Sequence, residues 1–220
     1  MQAINDPQIR DLLLPFVLNE HGTSETILIE EFALYGGTNR ADLAALNGVS
    51  HGYEIKSEKD TLTRLPQQVD AYNAVFERAT LVSSIRHLSS AITQIPKWWG
   101  VIEVRCDSGS TPYLERTRAS MPNPEPHGEA IASLLWRPEA LHILTSLGLD
   151  KGVRSKPMEY LVARLASELS PDKLSRIVRE TLRARGDWRL AARLRRYDAK
   201  SLRLSNLSRS QRIFSESTGQ

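Results

Sequence analysis

The feature that most constrains the fold of this chain is a series of three β-favouring runs separated by two tight-turn dipeptides. TILIEEFAL (26–34) is followed by Gly36-Gly37, RADLAAL (40–46) by Asn47-Gly48, and HGYEIKS (51–57) completes the series. Asn-Gly between alternating runs favours the two-residue hairpin turn, whose central positions need positive φ, so an antiparallel meander is expected. Ahead of it, Ile9, Leu12, Leu13, Phe16 and Val17 share one face of a helix over residues 7–18, with Asn5 or Asp6 as cap and Pro7 in its first turn. After it, Pro66 opens a helix carrying Val69, Tyr72 and Phe76. ATLVSS (79–84) then reads as a buried strand, IRHLSSAI as a small helix and WWGVIEVR (98–105) as a further strand. A meander followed by helical crossovers predicts an α/β fold: a mixed central sheet flanked by helices on both faces.

Residues 106–128 contain Pro112, Pro122, Pro124 and Pro126 and read as a linker or extended arm. Everything beyond is helical. GEAIASLLWRPEALHILTSLG is stopped by Gly148, Ser155 precedes Leu161, Val162, Leu165 and Leu169, and Ser170-Pro171 opens a helix with Leu174, Ile177, Val178 and Leu182. Short helices with abrupt turns allow a helix-turn-helix-like module. The expected organisation is a core over 1–106, a Pro-rich linker or arm over 107–126, a basic helical region over 127–210 and a flexible tail over 211–220.

Charge divides in the same way. Residues 1–150 hold 12 Lys and Arg against 19 Asp and Glu, whereas residues 151–220 hold 17 against 7. Arg189, Arg193 and Arg196 recur at helical spacing in the second half and would form one basic stripe. Such a stripe is either a solvated face or a contact for the phosphate backbone, and nucleic acid, DNA in particular, is the expected partner. One cysteine, Cys106, excludes an internal disulfide framework and fits a reducing compartment. No apolar run is long enough to span a bilayer and no basic-then-apolar leader opens the chain, so a cytoplasmic location away from membranes is expected.

The chemistry-bearing residues lie on the second and third runs. Side chains alternate along a strand, so Glu54 and Lys56 share one face, and Asp42 lies opposite Glu54 across the Asn47-Gly48 turn. Those residues alone also suit an edge strand whose polar face meets water. Two carboxylates on adjacent strands repel unless a cation separates them, and a hard divalent ion, Mg²⁺ or Mn²⁺, with the Ile55 carbonyl as a further oxygen, would answer that need. Lys56 would then act on a metal-bound water, an arrangement suited to phosphodiester hydrolysis.

Asp42 followed by Glu54-Ile55-Lys56, after a helix and inside a three-strand start, resembles the PD-(D/E)XK nuclease superfamily. The runs EIKSEKDTLTRLPQQVDAYNAVFERATLV and IPKWWGVIEV, with LLWRPEALHILTSLGL and SKPMEYLVARLA, are similar to small bacterial and phage proteins read as nucleases of that superfamily. The resemblance implies a restriction-endonuclease-like core and a Mg²⁺-dependent deoxyribonuclease with Asp42, Glu54 and Ile55 on the metal. Lys56 would assist the attacking water, and Gln68 and Tyr72 would brace the site. It also implies a further acid, for which Glu31 is preferred and Glu20 second, with Glu25 and Glu30 open. Ala41 stands where the consensus has proline.

Lys59 and Arg64 follow the motif and would touch phosphate, or else line a solvated helix entry. Trp98 and Trp99 would stack on bases, or else pack in the core. The five histidines lack ligand spacing, and His51 reads as a strand-end residue. The rival reading keeps the fold and the basic helices in a non-catalytic or partner-dependent DNA-binding, regulatory protein. The choice of nucleic acid, its strandedness and whether a second copy or partner protein takes part are left open.

Overall fold

The computed structural model describes residues 4–22, 26–106 and 111–185. Helix α1 (Asp6–His21) leads into strands β1 (Ile27–Leu34), β2 (Asn39–Leu46) and β3 (Ser50–Lys56), with a 3₁₀ turn at Tyr35–Gly37. Then come α2 (Leu65–Val75), β4 (Arg78–Ser84), α3 (Ile85–Ile92), β5 (Gly100–Arg105) and β6 (Tyr113–Arg118). Four helices follow: α4 (Gly128–Ala132), α5 (Arg137–Ser146), α6 (Met158–Glu168) and α7 (Pro171–Ala184). No helix among the described residues is long and apolar enough to cross a membrane.

The six strands form one sheet in chain order. β1, β2 and β3 are antiparallel neighbours, β3, β4 and β5 run parallel, and β6 returns antiparallel to β5. The expected mixed α/β sheet is what forms, because α2 and α3 make the crossovers that parallel pairing needs. A capping box starts α1: the Asn5 side chain accepts from the Gln8 N–H, and the Gln8 side chain accepts from the Asn5 N–H. The helix buries Ile9, Leu13, Leu14 and Val17.

Helices cover both sheet faces. His21, in the last turn of α1, meets Tyr53 on one side of β3. Gly52, pointing the other way, lies beneath Tyr72 and Phe76 at the end of α2. A Cβ at Gly52 would stand 2.5 Å from the Phe76 ring and 2.9 Å from Tyr72. Gly52→Ala should therefore cost about 1–3 kcal/mol by overpacking, read as a lower urea midpoint at unchanged slope. An unchanged midpoint would mean that α2 moves away freely.

β6 falls inside the segment expected to be a linker or arm. Its residues, YLERTR, alternate between exposed and half-buried and offer no apolar face, so the strand carries no hydrophobic signal. β6 is held by main-chain pairing to β5 at the sheet edge. The helical region is stitched to α2. The Asn123 amide donates to the Asn73 and Phe76 carbonyls at 2.6 and 2.8 Å, and the His127 N–H to Ala74 O at 3.0 Å. Glu77 accepts from the Ser50 N–H at 2.7 Å and pairs with Arg179 of α7.

Candidate functional site

The site lies where β2 and β3 part. Their pairing runs from Leu46↔Ser50 to Leu43↔Tyr53 and stops before Asp42. On the other side of β2, Glu30↔Leu43 and Phe32↔Ala41 are paired while Glu31, at φ 51°, and Asp42 are not. Side chains take over from the main chain here. The Tyr72 hydroxyl accepts from the Asp42 N–H at 3.1 Å and donates to the Tyr53 carbonyl at 3.0 Å. Asp42 Oδ2 accepts from the Ile55 N–H at 2.8 Å.

Every carboxylate of the site meets an organic cation, with Arg10 shared by Asp42, Glu31 and Asp6 and Lys56 serving Glu54. Arg10 Nη2 donates to Asp42 Oδ1 and Glu31 Oε1, both at 2.8 Å, and Nη1 to the Asp42 carbonyl at 2.7 Å. Arg10 Nε donates to Asp6. Lys56 Nζ donates to Glu54 Oε1 at 2.7 Å and to Gln68 Oε1 at 2.9 Å. Glu54 is 0% and Lys56 4% exposed, so this pair is removed from water, where a charge is tolerated only with a close partner. Glu54 Oε2 is buried and accepts no hydrogen bond.

Burial raises the Glu54 pKa to about 7, helped by the Asp42 charge and opposed by Lys56. Burial also raises Asp42, against the Ile55 N–H and Arg10, which both favour its charged form. Tyr72 is pushed well up by burial and the adjacent carboxylates and stays a neutral donor.

The structure thus brings Asp42, Glu54, Ile55, Lys56, Gln68, Tyr72 and Glu31 into one neighbourhood. Lys59 and Arg64 are exposed. Arg189, Arg193 and Arg196 lie outside the described residues, as does Glu25. Glu20 is turned toward β6, paired with Arg116. Trp99 is buried in the core, with its indole N–H donated to Asn73 at 2.8 Å and its ring against Tyr72.

Arg10 is the residue that sequence reasoning missed. The signal was present: it is the one Lys or Arg in residues 1–39, against six Asp and Glu. A second missed group is a buried polar chain on the α1 face. His21 Nε2 meets the Tyr53 hydroxyl at 2.9 Å, that hydroxyl meets His51 Nδ1 at 3.2 Å, and His51 Nε2 meets Thr80 Oγ1 at 2.8 Å. Burial depresses both imidazole pKa values, with Arg116 and Arg78 adding to the effect, so the chain is neutral rather than charged.

Both Asp42 oxygens and one Glu54 oxygen are engaged by protein donors, and two of those donors are cations. Among the described residues, no group of three or more His, Cys, Asp and Glu is placed to hold a metal ion. The repulsion that the sequence shows between Asp42 and Glu54 is answered by a guanidinium and an ammonium.

Comparison with known proteins places the chain in a different family from the one its motif suggests. Protein cII of Enterobacteria phage P4 is 26% identical over 112 residues, 51% of this chain and 42% of that protein, so the chain spans less than half the length of this curated relative. A Silicibacter pomeroyi protein of unknown function, 16% identical, covers 64% of this chain and 89% of its own with a TM-score of 0.37, too low to carry an argument. The family described as bacteriophage P4 protein cII matches residues 1–210, a range that contains the whole candidate site. That match corrects the resemblance to PD-(D/E)XK nucleases, and with it the reading of the chain as a hydrolase and Mg²⁺-dependent deoxyribonuclease. From α1 to beyond α7, the chain belongs to the bacteriophage P4 protein cII family.

Proposed function

We propose that this chain is a non-catalytic, DNA-binding regulatory protein that acts by occupying DNA. The observation that carries the reading is the contrast between two sets of charges. Around Asp42 and Glu54, acids and cations are closed on one another inside the fold, which makes the cluster a structural clasp between β2, β3, α1 and α2. In the helical region, Lys151, Arg154, Lys156, Lys173 and Arg176 are exposed, and residues 151–185 hold 9 Lys and Arg against 4 Asp and Glu. An excess of solvated cations on a folded surface attracts a polyanion by releasing its counterions. Kinship with a phage protein supports the assignment to control of DNA rather than to metabolism.

The test is a salt series with the full chain and labelled DNA, with Mg²⁺ or Mn²⁺ present or absent. Affinity should fall steeply between about 50 and 200 mM salt, each phosphate contact adding about 0.9 to the log–log slope on duplex and about 0.7 on single strands. The DNA should remain intact, and millimolar Mg²⁺ should move the melting temperature by less than about 1 °C, because an ion without a site in the fold adds no linkage stabilisation. Absence of binding at about 50 mM salt would end the reading, as would metal-dependent cleavage that Lys56→Ala removes.

A further inference from the structure

Around the N-terminus of α5, the structure assembles a ridge of cations and exposed aromatic rings that the clasp does not use. Arg137, in the first turn of α5, donates through Nη2 to the carbonyls of Arg154 at 2.6 Å and Lys156 at 3.0 Å. The loop between α5 and α6 is pinned by that guanidinium, by buried Val153 and by two turns, Val153 N–H to Asp150 O and Lys156 N–H to Val153 O. Lys151, Arg154 and Lys156 stand out from it into solvent, and the Arg154 side chain is 80% exposed despite a 3.4 Å contact with Asp150.

Two rings flank this loop. Tyr160, 45% exposed, has the Lys156 ammonium 5.3 Å from its centroid. Trp136, 61% exposed and next to Arg137, has the Arg185 guanidinium 4.2 Å from its centroid. The Lys156 ammonium is exposed beside its ring, whereas Arg185 is mostly buried and paired with Glu139, so the positive charge on this face comes from the loop.

We infer that this ridge is a binding site for single-stranded nucleic acid, with Lys151, Arg154 and Lys156 on phosphates and Tyr160 and Trp136 as stacking platforms for bases. A duplex satisfies the cations but hides its base faces, leaving both rings without contacts. A single strand offers phosphates and unstacked bases together, the combination that aromatic platforms in a basic groove recognise. The preference is for strandedness and not for sequence, since every base has a face to stack and phosphates carry no sequence information. The inference rests on the DNA-binding reading and names its face and ligand class.

Anisotropy measurements on the full chain, with a labelled thymidine oligonucleotide of about 20 nucleotides and a duplex of equal length, test it. Tyr160→Ala should weaken the single-stranded complex about fivefold to a hundredfold with its salt slope unchanged, and leave duplex binding as it was. Tyr160→Phe should restore the affinity. Arg154→Ser with Lys156→Ser should lower the single-strand log–log slope by about 1.4, two phosphate contacts' worth. All three positions are exposed, and circular dichroism verifies that the variants fold.

Duplex binding that persists while the oligonucleotide binds no better and ignores Tyr160→Ala overturns this inference and leaves the DNA-binding reading standing. Equal loss on both ligands in Tyr160→Ala overturns the single-strand preference. Failure of both ligands to bind at about 50 mM salt overturns the inference and the reading together.

Discussion

Lys56→Ala should lower stability by about 3–5 kcal/mol at mildly alkaline pH, because it strands a fully buried carboxylate without its counter-charge. The loss should shrink as the pH falls. Glu54 has its pKa raised from 4.5 to about 7, so between those values the folded state holds a proton that the unfolded state releases. Its contribution to stability is complete below 4.5 and is lost as the pH rises through about 7. Removing Lys56, which lowers that pKa, moves the folded value further up and extends the loss to higher pH. Urea unfolding from about pH 5.5 to about pH 8.5 should show the variant's deficit widening steadily. Equal stability of variant and wild type at the alkaline end would sink the clasp. The paired change Lys56→Met with Glu54→Gln should recover much of the loss, since an uncharged pair leaves no buried ion behind.

Arg10→Met is the second large effect expected. It removes the donors of Asp42 Oδ1, the Asp42 carbonyl and Glu31 at once. The side chains of Arg10 and Asp42 are 13% and 22% exposed, so solvent softens the loss relative to a fully buried pair, and about 2–3 kcal/mol is expected. A double-mutant cycle with Asp42→Asn separates the pair from general damage to α1. The two changes should be clearly less than additive, and strict additivity would mean that Arg10 does not act through Asp42.

The contrast between what was legible and what was not follows from the range of each interaction. Asp42 and Glu54 could be placed together because Asn47-Gly48 marks where the chain reverses, although the turn that forms spans three residues, with Leu46 paired to Ser50 and no positive φ at Asn47 or Gly48. The helices could be placed because caps and apolar stripes are local: Asn5 with Gln8 at the start of α1, Ser170 with Lys173 at the start of α7. β6 could not, because an edge strand with both faces partly wet carries no periodicity. The identity of the cation beside Asp42 could not either. Two facing carboxylates demand positive charge, but Arg10 arrives from a helix 32 positions earlier in the chain, and no local pattern binds the two. A motif read without that guanidinium looks like chemistry, and with it looks like a fastening.

Glu77 has a consequence for the order in which the molecule is made. A chain that emerges N-terminus first completes β6 at Arg118 long before Arg179 of α7 exists to meet Glu77. Until then the sheet holds this carboxylate with only the Ser50 N–H, and Phe32, Leu46 and Phe76 lack Val178 and Leu182, which share their apolar surroundings in the finished fold. The nascent protein thus passes through a stage in which the sheet is drawn but its seam is open and greasy. Synthesis of α7 closes that seam, so this helix, rather than any strand, decides when the molecule stops being sticky.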